Sequence, residues 1–377
     1  MTIGIMKASE LHEKIGKGLV VVLDVRNPDA YQEWRIQAND LESLNIPYYD
    51  FLDEDSEEVY TTIPQDQEIV VVCNKGNSAQ MVAAKLDERG CKVSYLERGM
   101  LGWSEFYHPV TVVEEADFKL IQLNRLAKGC LSYLVISQGQ ALIVDPSRHV
   151  DEYLQLAERE NVKISHIVDT HLHADHITGG HELADKTGAT YYISSSEMQG
   201  SPLSYEPLDK VDQLQVGAVT VKILPIPTPG HTPGSVSVLI NDKYLLSGDT
   251  IFVGGLGRPD LGGRAREWAQ SLYDTVFQTI APLSDDVIVL PTHYADIKEV
   301  NANGYVGADL GTIRQSNEVM RTQDREQFTE MVAGSAGQST PPNYEEIIDI
   351  NRGVVEVTEE KATELEAGPN RCAVHHG

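Results

Sequence analysis

The sequence predicts an α/β protein in two parts, an N-terminal α/β module over residues 1–110 followed by an αββα sandwich over residues 111–377. Three observations predict it. The chain has 377 residues, more than one hydrophobic core usually organises. The runs Val20-Val21-Val22-Leu23 and Ile69-Val70-Val71-Val72 are continuously apolar and β-branched, the pattern of strands buried on both faces. Beyond residue 130, strand-like and helix-like segments alternate in an order that two sheets with outer helices accommodate.

In the first part, the apolar run at Val20 leads into Asp24-Val25-Arg26, and the strand at Ile69 ends at Cys73. Asn74, Lys75, Gly76 and Asn77 then form a short loop, Ser78 to Arg89 has helical composition, and Gly90 is a helix stop. A cysteine at such a junction faces backbone N–H groups and a helix N-terminus, both of which favour a thiolate. Cys73 is therefore a candidate nucleophile. The boundary falls near Tyr107 to Val113, where Phe106-Tyr107-His108-Pro109 closes this part and a new strand pattern begins.

The second part is predicted in order as strands Tyr133 to Ile136 and Ala141 to Asp145, a helix Asp151 to Glu160, a strand Ile164 to Asp169, and a helix Gly180 to Thr187. Strands follow at Thr190 to Ile193, Val219 to Ile226, Val236 to Ile240 and Tyr244 to Ser247, then a helix Arg266 to Ile280 and a strand Val287 to Leu290. Gly334 to Pro342 is rich in Gly, Ser, Gln and Pro, as exposed loops are, and Glu359 to Gly377 is expected to be a partly polar tail.

Between the strand at Ile164 and the helix at Gly180 stands Thr170-His171-Leu172-His173-Ala174-Asp175-His176. Imidazole nitrogen and carboxylate oxygen suit zinc or ferrous iron. On an extended segment His171, His173 and Asp175 would project to one side. Two later segments complete the set. Thr228-Pro229-Gly230-His231-Thr232-Pro233-Gly234 is a stiff turn that holds His231 in one direction. Leu245-Leu246-Ser247-Gly248-Asp249 is a strand ending in a carboxylate beside a glycine that lets backbone come close.

This series, THLHADH, TPGHTPGS, LLSGDT and then LPTH ending at His293, resembles the metallo-β-lactamase superfamily over about Val112 to the C-terminus. Within it, GGLGRPD at Gly254 to Asp260 and the later Ser271-Leu272-Tyr273 resemble the persulfide dioxygenases. The resemblance implies one Fe(II) per chain on His171, His231 and Asp249, with three coordination positions left open. It makes His173, Asp175, His176 and His293 residues that orient ligands or hold a second metal, and Arg258 the contact for the thiol carrier's carboxylate. Tyr294 is a further candidate for substrate contact. Residues Lys7 to Tyr107 resemble a rhodanese, a sulfurtransferase domain, with Cys73 as the persulfide carrier and Asn74, Lys75, Gly76, Asn77 and Ser78 as the rest of its loop. Many thiosulfate-active members have an arginine near the end of this loop, where Asn77 and Ser78 stand here.

The implied reaction takes a small thiol persulfide, O2 and water to sulfite and thiol, and leaves two directions of sulfur flow open: sulfane sulfur on Cys73 is passed to a small thiol and then oxidised, or sulfite leaves as thiosulfate after taking a sulfur from Cys73. The alternative is a dinuclear zinc thioester hydrolase of the glyoxalase II type, with His171, His173 and His231 around one ion, Asp175, His176 and His293 around the other, and Asp249 bridging. A formal net charge of -27 argues against nucleic acid or anionic lipid as partner. No run of 18 apolar residues occurs and Met1 to Glu10 lacks the features of a signal peptide, so a cytoplasmic protein without a membrane span is expected. Four scattered cysteines fit a reducing compartment, and Cys91 and Cys130 are expected to serve core packing. Composition leaves a homo-oligomer open.

Overall fold

The computed structural model describes residues 3–39, 41–52, 57–223, 232, 234–257, 259, 264–334 and 343–369. The chain divides into two compact units. The first comprises residues 1–108 with 125–128 and 367–369, and the second the remainder.

The first unit is a five-stranded sheet of β1 (Gly4–Met6), β2 (Val20–Asp24), β3 (Ser43–Asn45), β4 (Glu68–Val72) and β5 (Val93–Leu96), in the order β1-β5-β4-β2-β3 and parallel throughout. Side chains alternate across a strand, so the unbroken apolar runs feed two cores. Val20, Val22, Val70 and Val72 pack on one face with Leu11, Met100 and Trp103. Leu23, Ile69 and Val71 pack on the other with Ala79, Val82, Ala83 and Leu86. Helices α1 (Ala8–Gly16), α2 (Pro28–Glu33), α3 (Glu57–Thr61), α4 (Asn77–Glu88) and α5 (Gly99–Ser104) complete the unit. The helix expected at Ser78 begins one residue earlier, and Gly90 follows its end with φ of +82°.

The second unit is an αββα sandwich. One sheet has seven strands, β6 (Tyr107–Glu115), β7 (Phe118–Arg125), β8 (Cys130–Ser137), β9 (Gln140–Val144), β10 (Lys163–Val168), β11 (Thr190–Ile193) and β12 (Glu206–Pro207), in the order β12 to β6. The other has six, β13 (Gln213–Val216), β14 (Val219–Ile223), β15 (Val238–Ile240), β16 (Tyr244–Gly248), β17 (Ile288–Pro291) and β18 (Ala308–Asp309), in sequence order. Their facing sides share one core, in which Leu131, Tyr133, Val135, Leu142 and Val144 meet Val219, Val221, Val238, Ile240 and Leu246. Outside lie α6 (Val150–Arg159) and α7 (Gly180–Thr187) after strands of the first sheet. The chain continues through α8 (Ala265–Asp274), α9 (Leu310–Ser316), α10 (Glu318–Arg321), α11 (Arg325–Gly334), α12 (Tyr344–Asn351) and α13 (Glu359–Leu365). Ala269, Leu272 and Phe328 of α8 and α11 join a second core with Leu239, Leu245 and Val289 on the outer side of the six-stranded sheet.

Several boundaries differ from expectation. The helix expected to reach Ile280 is α-helical to Asp274 and widens into a π-helix over Thr275–Ile280. The β15 strand starts two residues later than expected, and residues 224–226 of the β14 run lie outside the described residues, as do 335–342 and 370–377. The expected polar tail instead opens with a helix. The Thr358 side chain caps it and Ala362 and Leu365, three apart on one face, are buried. Among the described residues no helix is long and apolar enough to cross a membrane.

Candidate functional sites

In the second unit, four strand ends come together. Asp145 follows β9, the histidine-rich loop follows β10, Asp249 follows β16, and Thr292-His293 follows β17. Backbone hydrogen bonds tie these ends to one another: Asp145 N donates to Val168 O at 2.8 Å, Val236 N to Thr170 O at 2.8 Å and Thr292 N to Gly248 O at 3.1 Å. Gly248 is required here. It has φ of +56°, and a Cβ on it would stand 2.7 Å from Thr170 Oγ1.

The loop from Thr170 is bent, not extended, so alternation along a strand is not what aims its donors. The bends turn the rings toward one another: His171 and His173 have centroids 4.3 Å apart, and His173 and His176 4.2 Å. His171 Nε2 lies 3.6 Å from Asp249 Oδ2, and its Nδ1 is 3.0 Å from the Thr170 hydroxyl. His293 sits between two carboxylates, with Nδ1 2.7 Å from Asp249 Oδ1 and Nε2 3.0 Å from Asp175 Oδ2. His176 Nδ1 is 3.0 Å from Asp175 Oδ1. All of these side chains are buried. His231 and Arg258 lie outside the described residues. Tyr294 is buried in the core between the sheets, and its hydroxyl donates to Asn124 Oδ1 at 3.2 Å.

The charges are consistent with a cation site. Burial alone would push the Asp175 carboxyl up, but the imidazoles of His293 and His176 overcome it and hold the group well below the usual carboxylate range. Burial disfavours charge on His293 too, and the Asp175 and Asp249 carboxylates reverse that, raising it well above an ordinary imidazole. His176 is pushed up to about 10 against desolvation, by Asp175. Asp169 is raised to about 6 by burial. His173 is fully buried, yet neither ring nitrogen has a hydrogen-bond partner among the described residues. A buried polar group left so is costly, and a metal ion is the partner this donor set suits. The donor atoms of Asp145, Asp169 and His173 lie within 4.8 Å of one another, and so do those of Cys130, Asp175, His176 and His293.

Several residues were missed by sequence reasoning. Asp145 has φ of +54° at its strand end, accepting from Thr170 N at 2.7 Å and from the Thr292 hydroxyl at 2.7 Å. Its only sequence signal is a carboxylate after a strand. Cys130, expected to be core packing, has its sulfur 3.5 Å from Asp175 Oδ2. Glu197 accepts from the Thr232 hydroxyl and from Gly234 N, each at 2.6 Å, and so fixes residues that follow His231 in the sequence. Asn351, at the end of α12, donates to His173 O at 2.8 Å and His176 O at 2.9 Å and accepts from Thr178 N at 3.0 Å. Glu366 accepts from Ile177 N at 2.7 Å and from Arg148 Nε at 3.0 Å. Nothing local in the sequence marks the last two, because their partners lie far along the chain.

In the first unit, Cys73 lies at the end of β4, 6 % exposed, with Gly76 N 3.1 Å and Ala79 N 3.4 Å from its sulfur and both donating to it. Gly76 takes φ of +99°, which turns the loop into α4. Gly99, with φ of +56°, lets α5 approach: an added Cβ would meet Cys73 O at 2.0 Å. Arg26 is held inside the wall by Asp24, with Nη2 2.7 Å from Oδ2.

Both folds match known families. Residues 126–293 match the metallo-beta-lactamase superfamily and residues 7–106 the rhodanese-like domain. The chain belongs to the metallo-beta-lactamase superfamily and carries a rhodanese-like domain ahead of that fold. It is 30% identical over 181 residues to the probable metallo-hydrolase YqgX of Bacillus subtilis, covering 43% of this chain and 83% of that one. It is 35% identical over 173 residues to a hydroxyacylglutathione hydrolase of Anaeromyxobacter dehalogenans, covering 45% and 63%. It is 28% identical over 156 residues to the mitochondrial persulfide dioxygenase ETHE1 of Bos taurus, covering 41% and 59%. The match thus spans less than two thirds of either of the last two enzymes. A solved metallo-beta-lactamase from Staphylococcus aureus superposes with a TM-score of 0.56 at 29% identity, covering 64% of this chain and 74% of that one.

Proposed function

We propose that the chain oxidises the outer sulfur of a low-molecular-weight thiol persulfide, R-SSH plus O2 plus water giving R-SH and sulfite, and that Cys73 carries sulfane sulfur to or from that reaction. The ligands assigned are His171, His231 and Asp249, around one ferrous ion per chain. Held by these two histidines and one carboxylate, ferrous iron would supply the oxygen-activating chemistry that oxidation of a persulfide sulfur needs.

The other residues position these ligands. Asp249 turns one oxygen to His293 and the other toward His171, so His293 acts as the orienting partner of a ligand. Asp175 fixes both His293 and His176. The Thr170 hydroxyl beside Nδ1 sets the His171 ring with Nε2 facing Asp249. Arg258 is assigned to the carboxylate of the thiol carrier. The observation that carries this reading is the division of Asp249 between His171 and His293, which suits a single ion at His171 with His293 behind its ligand. The rhodanese-like domain adds to it, since carrying sulfane sulfur has a direct use beside persulfide oxidation.

A second reading is supported by the cluster of Cys130, Asp175, His176 and His293, whose donor atoms are close enough to share an ion. With two zinc ions the site would be that of a thioester hydrolase, in which metal-bound hydroxide is the nucleophile. The test is oxygen consumption on adding glutathione persulfide to protein purified without oxygen and loaded with ferrous iron, with sulfite assayed in parallel. Uptake matched by sulfite supports the dioxygenase. Absent uptake, with about two zincs per chain and hydrolysis of a glutathione thioester, replaces it with the hydrolase.

A further inference from the structure

A cavity lies within the first unit, at Cys73, and its lining differs from what an inorganic sulfur donor requires. It encloses about 370 Å³, within the range of small-molecule sites, roughly 300–1,000 Å³. Its apolar lining residues are Val25, Ala30 and Tyr48, the last 37% exposed. Its polar lining includes three asparagines, Asn27, Asn74 and Asn77, with Ser78 and Lys75. Arg26 also lines it, but its guanidinium is paired with Asp24 at 2.7 Å and buried in the wall. Lys75 is the one lining cation without an ion-pair partner among the described residues.

Thiosulfate is a dianion whose sulfonate oxygens sit directly on the atom next to the transferable sulfur. Capturing it beside Cys73 calls for cations in fork geometry close to the thiol, the task guanidinium groups perform best. An organic persulfide places carbon at that position and needs an apolar wall there. Its more distant peptide or carboxylate groups then need neutral donors and a single cation.

From this lining we infer that the Cys73 site takes its sulfur from an organic low-molecular-weight thiol persulfide in preference to thiosulfate, with Lys75 and the three lining asparagines recognising the polar body of the thiol. The inference rests on the reading of Cys73 as a sulfur acceptor. In the transfer, the Cys73 sulfur attacks the outer sulfur of R-S-SH. A new S–S bond forms as the old one breaks, and its electron pair leaves on R-S⁻, which takes up the proton released from Cys73. The products are R-SH and the Cys73 persulfide, with no net oxidation and no further reagent. Gly76 N and Ala79 N, already directed at the sulfur, support negative charge there.

The test uses the full chain under anaerobic conditions, offered glutathione persulfide or thiosulfate at equal concentration. Gain of one sulfur atom on the Cys73 peptide is followed with time by mass spectrometry. Loading by glutathione persulfide at least about tenfold faster than by thiosulfate is expected, a difference of about 1.4 kcal/mol in the barrier. Asn77→Arg, at the exposed first residue of α4, is expected to raise the thiosulfate rate selectively, and Lys75→Gln to lower the glutathione persulfide rate. Equal or faster loading by thiosulfate in the unaltered chain overturns the donor assignment and leaves Cys73 an acceptor. Loading by neither donor overturns the acceptor reading itself.

Discussion

In the first unit, the candidate nucleophile and the groups that touch its sulfur come from one stretch, Cys73 to Ala79, at the junction of a strand and a helix. In the second, the candidate ligands come from several strand ends, and the loop that bears most of them is held by Asn351 and Glu366 from the far end of the chain. A loop of the first kind can be found in a sequence by eye. The ligand motifs of the second kind can be found as well, because histidine clusters are rare, but the groups that aim them cannot.

The sharpest way to break this contrast is to disable each centre separately. His171→Ala or Asp249→Ala is expected to abolish metal binding and persulfide oxidation while Cys73 still accepts sulfur. Metal content and sulfur loading of the same preparation check it, and loss of both functions together would show that the units are not chemically independent.

Next in size is the substitution of Asn351 by alanine. Three backbone partners of the metal loop lose their contacts at once, at His173, His176 and Thr178. Metal affinity is expected to fall about 10–100-fold, as for other residues that orient ligands, with a stability loss of about 1–3 kcal/mol from the buried groups left without partners. Titration of metal-free protein measures the first and denaturant unfolding the second. Unchanged affinity would mean that the loop holds its own shape, and the two sites would then be equally local.

Gly99→Ala probes the same question in the first unit. The added methyl meets Cys73 O at 2.0 Å in a backbone conformation that disfavours side chains, so a cost of about 1–3 kcal/mol is expected. Sulfur loading of Cys73 should slow, while metal content stays unchanged.

A further effect concerns pH. His12 is lowered from 6.5 to about 4 by burial and by the neighbouring His108, whose ring centroid is 4.3 Å away. Burial lowers His108 as well. A lowered folded value means that the unfolded chain binds more protons between about pH 4 and 6.5. Stability of the first unit therefore rises with pH across that window and is fully present above it. Urea midpoints of the wild-type and His12→Gln chains measured from pH 4.5 to 7 should show a shallower slope in the variant, and identical slopes would remove His12 as a source.

Much of the fold was legible from chemistry at short range. Val20 to Leu23 and Ile69 to Val72 announced strands buried on both faces, and both supply two cores. Short or mixed strands such as β3, with every residue half-buried, and β12, two residues long, carry no such pattern. The helix at Glu359 was hidden by its polar composition, since only Ala362 and Leu365 face inward. At the site, His171, Asp175 and His176 stood out in the sequence by type and spacing and Asp249 as a carboxylate at a strand end, while His293 came only from the family resemblance. Asp145, Glu197 and Asn351 did not, because a carboxylate or amide that binds backbone leaves no periodic signal.

The most direct measurement of the central claim is oxygen uptake and sulfite release by the Cys73→Ser chain, loaded with ferrous iron and given glutathione persulfide. The account predicts that both continue at a rate close to that of the unaltered protein, since oxidation belongs to the second unit. Loss of uptake in that variant with its metal still bound would contradict it, and would make Cys73 an obligatory participant in the oxidation.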